Sequence, residues 1–213
     1  MDGRPVNLTR VPETNLTISG KPADSSVELH PLITQRWSPR ALDSDAKVTD
    51  EQLHALIEAA RWAPSCGNTQ PARYIVGRRG DVTFNRIHEI LNEGNQSWAY
   101  AAAALLLGVA ITRNAKGEVP YAEYGLALAT ENLVLQAVAE GLVAHQMAGF
   151  DQEGASATFA LPAEARPLIV IAVGRLGDPA QLVEYQRERE LAPRTRLDLS
   201  EIAYTEQWGR SAF

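Results

Sequence analysis

Arg36-Trp37-Ser38-Pro39-Arg40 and, one helix further on, Ala63-Pro64-Ser65-Cys66-Gly67-Asn68-Thr69-Gln70-Pro71 are the stretches on which the reading of this chain turns. The first places two guanidinium groups and a hydroxyl within five residues. Planar guanidinium forks bind oxyanions bidentately, so this is a compact donor array for a phosphate. The second is a turn-rich loop whose small and amide side chains, and free backbone N–H groups, suit a polar heterocycle. Together they point to a bound phosphorylated cofactor.

The rest of the chain makes such a site a local construction. Its 213 residues are 45% hydrophobic and carry a net charge of -6. That length suits one sizeable core and is short for two full domains. The acidic balance gives no bulk field for nucleic acid or an anionic membrane, and neither partner is expected. A single cysteine, Cys66, excludes an internal disulfide framework and fits a reducing cytosol. Met1–Gly20 carries Asp2, Pro12 and Glu13 and lacks the apolar stretch of a signal peptide, so a cytoplasmic location is expected. The longest apolar run, Ala99–Ile111, is too short to span a bilayer and reads as a buried element. His30, His54, His88 and His145 stand apart with no metal-ligand spacing, so no metal site is expected. A Rossmann glycine pattern, a Walker A lysine and a G-x-S-x-G elbow are all lacking.

Periodicity places the elements. Residues 1–27, rich in Pro, Gly, Ser, Asp and Asn, read as an irregular arm, and residues 28–213 as a single domain. A short helix is expected over Leu29–Gln35. Thr49 with Gln52 forms a capping box, and Leu53, Leu56, Ile57 and Ala60 share one face of a helix over Asp50–Trp62. Arg73–Gly77 reads as a strand, Asp81–Leu91 as a helix and Asn92–Gln96 as a loop. Leu105–Ile111 reads as a buried strand, with the preceding alanines equally suited to a helix, and Arg113–Pro120 as a polar loop. The helix over Glu123–Glu140 is apolar nearly all round, which in a chain this small implies a core helix that also meets a second subunit. Gly141 is its C-cap. Leu142–Met147 reads as a strand or turn, and the unbroken run Leu168–Val173 as a central strand. Leu182–Leu191 is charged and helical. Pro193–Phe213 holds Ile202, Tyr204, Trp208 and Phe213 but no core of its own.

In this order the pieces resemble the nitroreductase family of flavoproteins. The resemblance covers about residues 30–200 and rests on Arg36–Arg40, Ala63–Pro71, Gly141–Phe150, Ile169–Gly174 and Pro193-Arg194-Thr195-Arg196. It implies an α+β fold with a central mixed sheet flanked by helices. It further implies an intertwined homodimer whose C-terminal segment crosses to the partner, with FMN sites at the interface. The implied activity is an FMN-dependent oxidoreductase that uses NADH or NADPH to reduce nitroaromatic or quinone-type acceptors by ping-pong hydride transfer through flavin N5. No side chain is implied to be catalytic.

Carried over position by position, Arg36, Trp37, Ser38 and Arg40 match the turn that meets the flavin phosphate and ribityl chain. Arg194 and Arg196 match a basic pair closing on the same phosphate. Pro64, Ser65, Cys66 and Asn68 match a loop that touches the flavin of the neighbouring subunit. Asn95 matches an asparagine at the pyrimidine edge, and Ala148 and Gly149 match backbone N–H groups facing N5 and O4. Three positions depart from the pattern: Ala72 stands where an aromatic often follows Gln-Pro, Cys66 where a serine or another small residue is frequent, and Ala148 where some members carry an acid. Other readings stay open. Arg194 and Arg196 sit in a mixed-charge stretch with Arg187, Glu188, Arg189 and Glu190 that equally reads as a solvated face. Cys66 reads as a packing residue, since no base accompanies it. Trp37, Trp62 and Trp98 read as core or interface residues. A specialised flavin enzyme of the same fold, such as a dehydrogenase, dehalogenase or flavin-consuming enzyme, and a non-catalytic flavin-binding dimer are the alternatives.

Overall fold

Thr49 Oγ1 accepts the Gln52 N–H at 3.2 Å and Gln52 Oε1 accepts the Thr49 N–H at 3.1 Å, so the capping box closes in both directions. This starts a helix over Asp50–Arg61 that buries Leu53, Leu56 and Ala60. The computed structural model describes residues 20–213; the arm expected over residues 1–27 falls outside the described residues up to residue 19. In chain order the elements are α1 (Pro31–Gln35), α2 (Asp50–Arg61), β1 (Ala72–Arg78), α3 (Val82–Glu89), α4 (Glu93–Ala99), β2 (Ala104–Ile111), β3 (Arg113–Asn114), β4 (Gly117–Glu118), α5 (Ala122–Ala139), β5 (Val143–Met147), α6 (Gln152–Thr158), β6 (Ala165–Gly174) and α7 (Glu184–Leu191).

Four strands form one sheet in the order β1-β2-β6-β5. Every pair in it is antiparallel. The mixed sheet expected from the resemblance is therefore corrected: among the described residues the sheet is antiparallel throughout. The two inner strands are covered on both faces. Leu105, Leu107, Val170 and Ala172 pack on one side with α3 and Trp98 of α4. Leu106, Ile171 and Val173 pack on the other with α2 and α5. Double coverage explains why β2 and β6 read as unbroken apolar runs rather than alternating ones.

Asn92–Gln96 is not a loop. Glu93–Ala99 is helical, with Trp98 and Ala99 buried. Gly94, Asn95 and Ser97 are weak helix formers, and the burial of Trp98 overrides their propensity. Arg113–Pro120 contains a two-residue-per-strand hairpin that turns at Ala115–Lys116, with Gly117 at φ 114° opening the second strand. A further helix, α6, is capped by Asp151, whose carboxylate accepts the Gly154 N–H. Gly141 takes the left-handed conformation, φ 68°, that ends α5. The inner half of α5 is buried, but Tyr124 is exposed and Leu128 and Leu135 are only partly covered by the described residues. The segment after α7 stays on the surface, and Trp208 and Phe213 are 89% and 85% exposed.

Candidate functional site

The Arg36–Arg40 turn leaves α1 and is fixed from two directions. Glu190 of α7 accepts the Arg40 and Ala41 N–H groups, each at 3.0 Å. His145 of β5 lies 2.9 Å through Nδ1 from the Pro39 carbonyl oxygen. Neutral His145 donates to that carbonyl. Burial, with the nearby Arg40 cation adding to it, drives the His145 pKa down to about 4 against hydrogen bonds that favour the charged ring. Trp98 packs against the same imidazole, ring centroids 4.6 Å apart. A turn carrying four candidate binding residues, Arg36, Trp37, Ser38 and Arg40, is thus held through its backbone.

Arg36, Arg194 and Arg196 come from opposite ends of the chain to one hollow of about 830 Å³. Glu131 of α5 also lines it, and its Oε1 stands 4.0 Å from Arg36 Nε. Ser38 Oγ is 3.5 Å from Arg36 Nη1. Arg194 donates to the carbonyls of Lys21 at 2.8 Å and Thr34 at 3.1 Å, which ties the chain after α7 to α1. Burial first, then repulsion from Arg36 and Arg196, lowers the Arg194 pKa below the usual guanidinium value. Crowded like charges of this kind are what a bound dianion relieves. Arg40 does not line the hollow; its guanidinium lies near Lys21 and His145, where it disfavours their charged forms. Trp37 is partly buried beneath the Lys21 ammonium, 4.9 Å from its ring centroid.

Asn95 and Gly149, distant in sequence, meet directly. Asn95 Nδ2 donates to the Gly149 carbonyl at 3.0 Å, and the Asn92 N–H donates to the same oxygen at 3.1 Å. A Cβ on Gly149 would stand 2.8 Å from Asn95 Nδ2, so any larger residue there would push the Asn95 side chain out of this contact. Ala148 beside it is exposed.

Pro64 and Ser65 border a different hollow, of about 260 Å³, floored by Ile57, Ala60, Tyr74 and Ala129. Ser65 Oγ accepts the Gln70 N–H at 2.9 Å, closing the loop on itself. Asn68 turns through φ 54°, and the Cys66 thiol is exposed. The thirteen candidate positions thus fall into three groups: the arginine hollow with its turn, the Asn95–Gly149 contact, and the Pro64–Asn68 loop on its own hollow. Among the described residues no cluster of His, Cys, Asp and Glu suited to a metal gathers, and no helix is long and apolar enough to cross a membrane.

Sequence reasoning passed over Glu190, Gln186, Lys21 and Glu131. Glu190 sits in a charged run that reads as solvated, yet it is 3% exposed. Its partners lie 149 and 150 residues away, so no local pattern signals it.

The nitroreductase family model matches residues 33–97 and 77–175. This chain belongs to the nitroreductase family. A putative NADH dehydrogenase/NAD(P)H nitroreductase of Leptothrix cholodnii is 30% identical over 196 residues, 81% of this chain and 94% of that protein. An uncharacterized 15.4 kDa protein of Mycolicibacterium smegmatis is 42% identical over 145 residues, 64% of this chain and 97% of its own. Among solved structures, an oxidoreductase containing FMN superposes with a TM-score of 0.82 at 30% identity, covering 87% of this chain and 95% of that one. A nitroreductase family protein from Clostridium difficile 630 gives 0.67 at 25% identity, covering 85% and 99%. As a nitroreductase-family protein the chain is an oxidoreductase with an α+β fold.

Proposed function

We propose that residues 28–213 form one FMN-binding domain of a cytoplasmic homodimeric NAD(P)H oxidoreductase. The observation that carries the reading is the convergence of Arg36, Arg194 and Arg196 on one hollow of a nitroreductase-family fold. The donor set fits the cofactor. Three guanidiniums, with Ser38 beside them, supply charge-assisted hydrogen bonds for a phosphate dianion, each worth about 1.5–3 kcal/mol. Glu131, 4.0 Å from Arg36, lines the same hollow as Asp24 and Asp198, and a bound phosphate would be a closer counter-charge for Arg36.

FMN held here would supply hydride-transfer chemistry between NADH or NADPH and a nitroaromatic or quinone-type acceptor, in ping-pong order. The protein binds and orients. Arg36, Ser38, Arg194 and Arg196 hold the phosphate end, with Trp37 and Arg40 in the same turn shaping its approach. Asn95 and the Ala148–Gly149 backbone serve the ring end, where N–H donors stabilise added negative charge. Pro64 and Ser65 border a separate hollow and Cys66 and Asn68 continue the same exposed loop, consistent with service to the partner's cofactor. Support for the homodimer is the apolar surface that the described residues leave open on α5 and on the tail.

Titrating FMN into the purified protein tests this. Saturable quenching of flavin fluorescence, weakened about tenfold or more by Arg36→Ala, is expected. A colourless protein with no FMN affinity contradicts the reading.

A further inference from the structure

Three polar side chains are fully buried among the described residues, and two of them, Gln186 and Glu190, stand one turn apart on α7. Residues four apart share a helix face. From that face they reach two different parts of the site. Glu190 Oε1 accepts from Arg40 N and Ala41 N at 3.0 Å, with Oε2 also 3.0 Å from Arg40 N. Gln186 Nε2 is 3.1 Å from the Gly94 carbonyl oxygen and 2.8 Å from Ser97 Oγ, both in α4, the helix that presents Asn95. Both contacts link segments about ninety or more residues apart.

The far end of α7 is anchored as well. Lys21 Nζ donates at 2.6 Å to the Glu190 and Ala192 carbonyls, capping the helix while it stands over Trp37. Burying a carboxylate is costly unless its hydrogen bonds are made, so a helix that is otherwise charged and exposed does not place one inside without a task.

We propose that Glu190 and Gln186 are positioning residues for the cofactor. α7 acts as a brace: Glu190 sets the Arg36–Arg40 turn that receives the phosphate, and Gln186 sets α4 and hence Asn95 at the ring end. The proposal rests on the FMN reading above. Glu190 touches no ligand; it acts by fixing where the N–H groups and guanidiniums of the turn lie.

The two halves are separable because riboflavin is FMN without its phosphate. FMN and riboflavin are titrated in parallel into cofactor-free wild type, Glu190→Gln, Glu190→Asp and Gln186→Leu, with unfolding followed for each. Glu190→Gln removes the charge and Glu190→Asp withdraws the carboxylate by one methylene, so the pair covers a variant that fails to fold. Either is expected to weaken FMN by about tenfold or more while changing riboflavin affinity by less than about threefold. Gln186→Leu is expected to weaken both flavins by the same factor and to shift the visible absorption of the bound flavin, which the Glu190 variants leave in place. A merely structural role predicts equal loss of FMN and riboflavin in the Glu190 variants, in proportion to lost stability. That equal loss, or an unchanged FMN affinity, overturns the proposal alone. A wild type that binds neither flavin overturns the FMN reading and the brace together.

Discussion

At Gly149 a single methyl group decides the geometry. The Cβ of an alanine there would press on Asn95 Nδ2 at 2.8 Å. Gly149→Ala is therefore expected to turn Asn95 away and cost one hydrogen bond, about 1 kcal/mol, read as a roughly five- to tenfold weaker FMN dissociation constant. His145 sets a pH limit. Its pKa falls from 6.5 to about 4 because burial disfavours the imidazolium. The neutral ring's contribution is complete above pH 6.5 and is lost as the pH falls towards 4. The unfolded chain takes up the proton first, and the loss amounts to roughly 3 kcal/mol. Urea unfolding at pH 7 and at pH 4.5 checks this: His145→Leu should lose less stability between the two than wild type, and an equal loss contradicts it. Little of this scale was legible. Arg36, Ser38 and Arg194 stood out by type and spacing, whereas Glu190 looked like one more charge in Arg187–Glu190, because its partners belong to a distant turn.

Among the elements, α2 was readable to its cap. Thr49 and Gln52 bond reciprocally as their spacing demands. Thr49→Ala should lower the unfolding free energy by about 1 kcal/mol while leaving FMN affinity unchanged, since the cap lies away from the arginine hollow. β6 was readable because an unbroken apolar run needs two covered faces, and it has them. α4 was not, because Gly94 and Asn95 argue locally against a helix and the deciding term, Trp98 in the core, is tertiary. Strand direction was likewise hidden: Leu168–Val173 states how deep the strand lies, not which way its neighbours run, so the expected mixed sheet gave way to an antiparallel one.

At the scale of the whole molecule, the described residues leave apolar surface uncovered. Tyr124 is 65% exposed on a helix whose inner face is core, and the tail carries Ile202, Trp208 and Phe213 outward. In the proposed homodimer these surfaces meet the partner. Leu128→Glu should shift the protein to monomer in sedimentation and weaken FMN with it; an FMN-loaded monomer contradicts the coupling. Deletion from Asp198 onward should lower stability and flavin affinity together, and an unchanged protein contradicts a clasping tail. The most direct test of the central claim is anaerobic addition of NADH, and separately NADPH, to the FMN-loaded protein, followed at the visible flavin band. The account predicts that at least one nucleotide bleaches the band and that a quinone restores it; a flavin that neither nucleotide reduces contradicts it.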